Sequence, residues 1–265
     1  MTSEDFAGLL AGGGRIAGPV ALIVAHPDDE SLWAGAALPR LERLLLIHVT
    51  DGAPRDMADA RRLGFASRKA YARARAAELD AALAALEVAP ARLSYGFPDQ
   101  EAVEHLAELA DRLARDCADA VALLTHPYEG GHPDHDAAAL AARLAAERIA
   151  RRRGAPPALV EFACYHAAEG ARRFGRFWPD PSRPERTRAI PEAKRPRLDA
   201  AIAAHATQAA VIDGWRPEVE RWRAAPAYDF AAPPPPAACL YDGFGWAMTS
   251  ERWRERAGAE LALCP

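Results

Sequence analysis

The stretch Val20-Ala-Leu-Ile-Val-Ala-His-Pro-Asp-Asp-Glu30 decides the fold. Its apolar first half, Val20 to Ala25, carries no polar residue to turn toward water. Such a run predicts a strand buried on both faces, as in a parallel sheet. The second half, His26 to Glu30, places imidazole and carboxylate groups where that strand ends. Similar apolar runs occur at 44–50, 120–125 and, less sharply, 159–164, with a shorter one at 92–95. Between them, 67–88, 101–117 and 134–153 are rich in Ala, Leu, Arg and Glu, all good helix formers. Strands and helices alternating at this spacing predict βαβ units: an α/β fold with a mostly parallel sheet and helices on both faces.

The flanks read differently. Residues 1–18 are small, polar and Gly-rich, and predict a short helix or loose tail. From 172 to 196 Arg, Pro and aromatic residues crowd together, which predicts irregular structure. Helices are expected at 192–213 and near 217–224, then a Pro run at 233–236 and Tyr241-Asp-Gly-Phe-Gly-Trp246. These segments are too short to bury a core of their own. The expectation is therefore one domain over 1–265, with a core at about 18–170 and a C-terminal irregular and helical appendage at about 171–265.

Composition narrows the function. The chain has 265 residues, half of them hydrophobic, enough for a sizeable core without staples. Its 33 basic and 37 acidic residues leave a net charge of -4, which argues against nucleic acid as a partner. The four cysteines, 117, 164, 239 and 264, form no Cys-x-x-Cys. They suit neither thiolate zinc nor a disulfide scaffold, and read as small apolar residues plus one at a frayed terminus. No apolar run reaches the roughly 20 residues that span a bilayer. Glu4 and Asp5 stand where a signal peptide carries positive charge. The expected location is cytoplasmic.

The third long strand ends in His126-Pro-Tyr-Glu-Gly-Gly-His-Pro-Asp-His135. Ligands of open α/β sheets bind beyond the carboxyl ends of the strands, so this segment and His26 to Glu30 would share one site. They also share a design, His26-Pro27-Asp28-Asp29 and His132-Pro133-Asp134-His135. Pro at the first helical position would put each His at the cap and the fourth residue in the first turn. Two His, a carboxylate and an open position make a mononuclear catalytic metal site. Taken alone, Asp28, Asp29 and Glu30 equally suit acids complementing a helix N-terminus, and His132 and His135 suit a surface turn. Both motifs at matching strand ends favour the metal. His48 and His105 lie in strand and helix patterns and read as structural; His126, His166 and His205 are further pocket candidates.

These motifs resemble the PIG-L (LmbE-like) family of zinc-dependent N-deacetylases. The resemblance runs through Thr50-Asp-Gly52, Arg75-x-x-Glu78-Leu79 and the third-strand loop, over about 20–165. It implies a Rossmann-like fold and removal of an acetyl group from an N-acetylglucosamine-type substrate, or cleavage of a related amide. It makes His26, Asp29 and His135 the metal ligands, Asp28 the general base and His132 the group that stabilises the oxyanion. Zn2+ is the implied metal, and two His with one carboxylate also suit Fe2+. Arg75 matches a substrate-binding Arg. Where some members carry a mobile Tyr, this chain has Gly130, and the nearest aromatic is Tyr128.

The chemistry agrees with these roles. Successive residues point in different directions, so Asp29 can bind metal while Asp28 takes a proton from water, and a protonated His132 can face the oxyanion. Asp51, Arg55 and Asp99, in loops on the same sheet edge, are candidate substrate contacts, with turn chemistry as the alternative. The 172–188 segment is a candidate lid over a sugar. The expected activity is thus metal-dependent N-deacetylation of an N-acetylated amino sugar, a small-molecule or glycoconjugate substrate. The alternatives are an amidase that cleaves a larger acyl group or thiol conjugate, and a non-catalytic sugar-binding relic.

Overall fold

A computed structural model describes residues 1–263; Cys264 lies outside them. Along the chain α1 (Ser3–Ala11) leads into β1 (Ile16–Val24), α2 (Asp29–Ala34), β2 (Leu41–Pro54), α3 (Ala58–Arg62) and α4 (Arg68–Ala85). Then come β3 (Ala91–Asp99), α5 (Leu106–Asp116), β4 (Ala122–Thr125), α6 (Pro133–Arg153) and β5 (Ala158–Phe162). A hairpin of β6 (Tyr165–Ala168) and β7 (Ala171–Phe174) follows. The chain ends with β8 (Arg186–Ala189), α7 (Arg195–Ala204), α8 (Ala209–Ile212), β9 (Val219–Ala224) and α9 (Ser250–Leu263).

The central sheet has the order β3-β2-β1-β4-β5-β9-β8. Strands β3 to β5 pair in parallel, and β9 and β8 add antiparallel at one edge. Alternate residues of β1 feed two cores, which is why the strand is apolar throughout. Ala21 and Ile23 pack with α5, α6 and α9. Val20, Leu22 and Val24 pack with α1, α2, α4 and α7. The first ten residues of helix α6 are all buried, which suits its Ala-rich sequence; His132 caps it, Pro133 opens it, and Gly154 in the left-handed region closes it after Arg151 to Arg153. None of the helices among the described residues is long and apolar enough to cross a membrane.

Several local expectations are corrected. Val219–Ala224 is a strand, not a helix: Glu220 and Trp222 turn inward beside β5, whose free edge pairs with the segment. Likewise 172–196 is not wholly irregular, since it contributes part of β7 and all of β8. The helix expected over 192–213 breaks at His205, whose backbone leaves the helical region. At the first corner Asp28, not His26, occupies the cap, and α2 begins at Asp29. Helix α9, which seats Trp253 in the core, adds a helix beyond those expected from the sequence.

Candidate active site

The chain runs β1, β2, β3 toward one edge and returns to place β4 on the other side of β1. The carboxyl ends of β1 and β4 therefore diverge at a topological switch point, where open sheets bind ligands. A cavity of about 330 Å³ opens there. It is lined by His26, Asp28 and Asp29 from the first corner, and by His132 and His135 from the second. Arg75 of α4, Asp99 at the end of β3 and Gln100 add to its polar inner part.

Asp29 is the hub. Its Oδ1 lies 3.3 Å from His135 Nε2, and its Oδ2 lies 3.4 Å from both His26 Nδ1 and His126 Nε2. The His26 backbone N–H and the Trp33 indole N–H donate to it at 2.8 and 3.1 Å and fix its rotamer. Burial raises its proton affinity, but His135 and His126 outweigh burial and hold the carboxyl well below the usual range. Asp99 sits 3.4 Å from His26 Nε2 and 3.6 Å from His132 Nε2. Burial opposes its ionisation; His26, His132 and Arg75 again prevail.

Asp28 faces Arg75, Nη2 to Oδ2 3.1 Å. Burial pushes this carboxyl up from its ordinary value despite Arg75. Arg75 itself is buried and donates to the carbonyls of Gly52 and Pro27. Gly52 is needed for that approach: its φ is +64°, and a Cβ there would lie 2.4 Å from Arg75 Nη1. His132 accepts the Asp134 N–H at Nδ1, 3.2 Å, so Nε2 carries its proton. Burial and His26 hold it well below the usual imidazole range. Both effects favour the neutral ring, with its Nε2–H available to donate.

Three donor groups among the described residues are compact enough to hold an ion: His26, Asp29 and His135; His26, Asp99, His132 and Asp134; and His126, His135 and Cys164. The second is largely committed, because Asp134 already accepts the N–H groups of Gln100 and Ala102 and His132 Nδ1 is spent. In the third, His126 Nε2 accepts the Ala25 N–H, and burial pushes the Cys164 thiol well above its ordinary value, away from thiolate. The first keeps free lone pairs. His26 Nε2 reaches Asp134 at 3.3 Å, which leaves Nδ1 toward Asp29, a carboxylate-oriented histidine of the kind that ligates metals.

The other expected residues separate. Arg75 and Asp99 line the cavity. Tyr128 does not: it is 1% exposed, donates to the Ala232 carbonyl and packs against Phe230 and Trp253 in the core. Asp51 is tied up by Arg68 and the Ala53 N–H, as turn chemistry would have it. Arg55 pairs with Glu101 in a neighbouring groove, off the main cavity. His126 lies directly behind Asp29, and His205 and His48 sit deeper, joined to Glu30 and Ser31. His166 stacks edge-on to Trp178 and His105 lies flat on Phe97, both outside the cavity. From 172–188 only Arg172 and Phe174 reach the cavity; Phe177 is buried under Arg223. Sequence reading missed Trp33, Tyr165, Gln208, Trp215 and Trp246 of the lining. Only Trp246 stood in a conspicuous motif.

A search of the curated proteins finds no match. Among solved structures, the antimicrobial reagent A40926 pseudoaglycone deacetylase Dbv21 is 20% identical, with TM-score 0.59 over 79% of this chain and 97% of that one. The zinc-inhibited form of the teicoplanin deacetylase Orf2 is 17% identical, with TM-score 0.57 over 77% and 97%. GalB, the 4-carboxy-2-hydroxymuconate hydratase from Pseudomonas putida KT2440, is 21% identical, with TM-score 0.50 over 79% and 96%. At such identities these likenesses establish the fold, and a hydratase among them shows that the fold alone does not fix the reaction. The family described as PIG-L, GlcNAc-PI de-N-acetylase, matches residues 21–146, which hold both corner motifs together with Arg75, Asp99 and Gln100 of the cavity. Residues 21–146 are a PIG-L family domain.

Proposed function

We propose that this protein is a metal-dependent hydrolase that removes the N-acetyl group from an N-acetylated amino sugar, free or within a glycoconjugate. The observation that carries the reading is the convergence of His26, Asp29 and His135 at the switch-point cavity, with the separate carboxylate of Asp28 facing the same space. The family match over 21–146 supports it. In this reading His26, Asp29 and His135 hold a divalent cation, zinc or ferrous iron. When bound, such an ion supplies Lewis acidity, lowering the pKa of water and polarising a carbonyl.

The chain's own groups do the rest. Asp28 takes the proton of the attacking water and later delivers it to the leaving amine. Arg75, braced on two backbone carbonyls, fixes the direction of that carboxylate. His132 donates its Nε2–H to the amide oxygen as negative charge builds there. Asp99, which lines the cavity beside His26 and His132, accepts a sugar hydroxyl.

The test is free-amine release from a panel of N-acetylglucosaminyl compounds, with metal-loaded and chelated protein side by side. Metal-dependent release is expected. Stoichiometric metal with no release from any acyl-amino sugar would overturn the reading.

A further inference from the structure

The cavity has two unlike halves. The inner half is polar: Asp28, Asp29, Asp99, Arg75 and the histidines. The outer half is an aromatic wall. It starts at Tyr165, whose ring lies 5.3 Å from that of His135, and continues to Phe174 at 5.7 Å and Trp215 at 5.3 Å beyond that. Trp33 closes it, 5.0 Å from Trp215. At the rim stand Val211 and Phe244, 49% and 38% exposed, a degree of exposure rare for large apolar side chains in this molecule. An amino sugar alone offers hydroxyls and one pyranose face, and so leaves much of this wall uncovered.

Arg172, exposed on β7, also lines the cavity. Its guanidinium lies over the rings of Tyr165 and Phe174, 5.4 Å from each centroid, and 5.7 Å from that of Phe244. These contacts hold the cation at the mouth through the ring faces and leave its N–H donors unspent. The remaining charges are committed. Arg75 pairs with Asp28, and Asp59 at the rim pairs with Arg62 at 2.8 Å. Among the described residues no carboxylate pairs with Arg172.

The geometry points to a specificity site for an apolar group, aromatic or short aliphatic, that ends in an anion. Trp33, Tyr165, Phe174 and Trp215 form its bed, and Arg172 is its anion contact. The inference rests on the deacetylase reading only in assuming that the substrate amide carries this group, through its glycosidic oxygen or through its acyl chain. A neutral apolar tail would use the wall but leave the cation idle. An anion without apolar reach would forgo the wall.

Binding to the metal-loaded protein, read by rapid-mixing quenching of tryptophan fluorescence before hydrolysis proceeds, tests this without relying on turnover. The probes are para-carboxyphenyl N-acetyl-β-glucosaminide and N-adipoyl glucosamine, each beside a neutral counterpart, the phenyl glycoside and N-hexanoyl glucosamine. At least one acid should bind more tightly than its neutral partner. Arg172→Gln should remove that advantage, about three- to tenfold in Kd, and Arg172→Glu should reverse it, while neutral probes stay unchanged. Arg172 is exposed, so both variants should fold, and Phe244→Ala should weaken all apolar probes alike. Whichever acid shows the dependence identifies the attachment. Equal binding of acid and neutral probes, or no response to Arg172→Gln, would overturn the inference. Amine release from these same probes and from methyl N-acetylglucosaminide, followed in parallel, separates the two readings. Turnover without Arg172 dependence sinks the specificity site alone, and Arg172-dependent binding without amine release sinks the deacetylase alone.

Discussion

Glu220 offers a stability test with a computable size. It lies on β9, 4% exposed, and its Oε1 accepts the N–H groups of Ala36 and Ala37 at 2.7 and 3.1 Å. It thus ties the last strand to the end of the helix that carries Asp29. Its Oε2 is buried without a partner. Burial pushes the carboxyl up to about 7 from an ordinary 4.5, against the pull of the two amides and Arg40. A carboxyl raised in the folded state binds more protons there than in the unfolded chain. Stability must then fall as pH rises from the unfolded to the folded value, and level off above it. Between pH 5 and pH 8 the loss amounts to about 2.5 kcal/mol. Glu220→Gln keeps the Oε1 acceptor and cannot ionise, so the loss should vanish. The assay is urea unfolding of both proteins at pH 5, 6, 7 and 8, read as the difference between them, which cancels every other titrating group. The variant should gain steadily on the wild type up to about pH 7. A difference that stays flat across that range would refute the argument that burial dominates at Glu220.

Three further outcomes are expected. Asp28→Asn should retain stoichiometric metal yet lose about 10²- to 10⁴-fold in turnover; near-normal rates would remove Asp28 from the role of base. Tyr128→Phe should cost about 1 kcal/mol in unfolding through its lost bond to the Ala232 carbonyl and leave kcat within about twofold. A collapse of kcat with unchanged stability would return Tyr128 to the site. Gly52→Ala should destabilise by about 1–3 kcal/mol, because its backbone is left-handed and its Cβ meets the Arg75 guanidinium. Displaced Arg75 should also lower kcat more than it raises KM, and unchanged kinetics would contradict the bracing role given to Arg75.

The sequence reached the fold and the polar half of the cavity by the same route. Parallel strands buried on both faces must be continuously apolar, so β1, β2 and β4 announce themselves, and their carboxyl ends follow at once. His26, Asp28 and Asp29 sit within five residues of the end of β1, and His132 and His135 within ten of the end of β4, where local order already implies neighbourhood. Residues brought in by distant segments left no such trace. Trp33 looks like any helix tryptophan, Tyr165 like any edge-strand tyrosine, and Trp215 like a loop residue. Their shared wall exists only because the β6–β7 hairpin and the turn after α8 close over the first corner. Strand β9 differs from its expected helix for a related reason. Its alternation is short and charged, and it becomes a strand only because β5 has an open edge to pair with.

By itself, then, the sequence determined the parallel part of the sheet, its two site-bearing corners and the proposed ligands His26, Asp29 and His135, because each is encoded in contiguous residues. Tertiary structure alone decided which of those groups keep free lone pairs. It spent His126 on the Ala25 amide and Asp134 on the amides of Gln100 and Ala102, buried Tyr128, and left Asp29 at the centre. Hydrogen-bond commitments of that kind depend on packing between segments up to a hundred residues apart, a distance over which local sequence patterns carry no information.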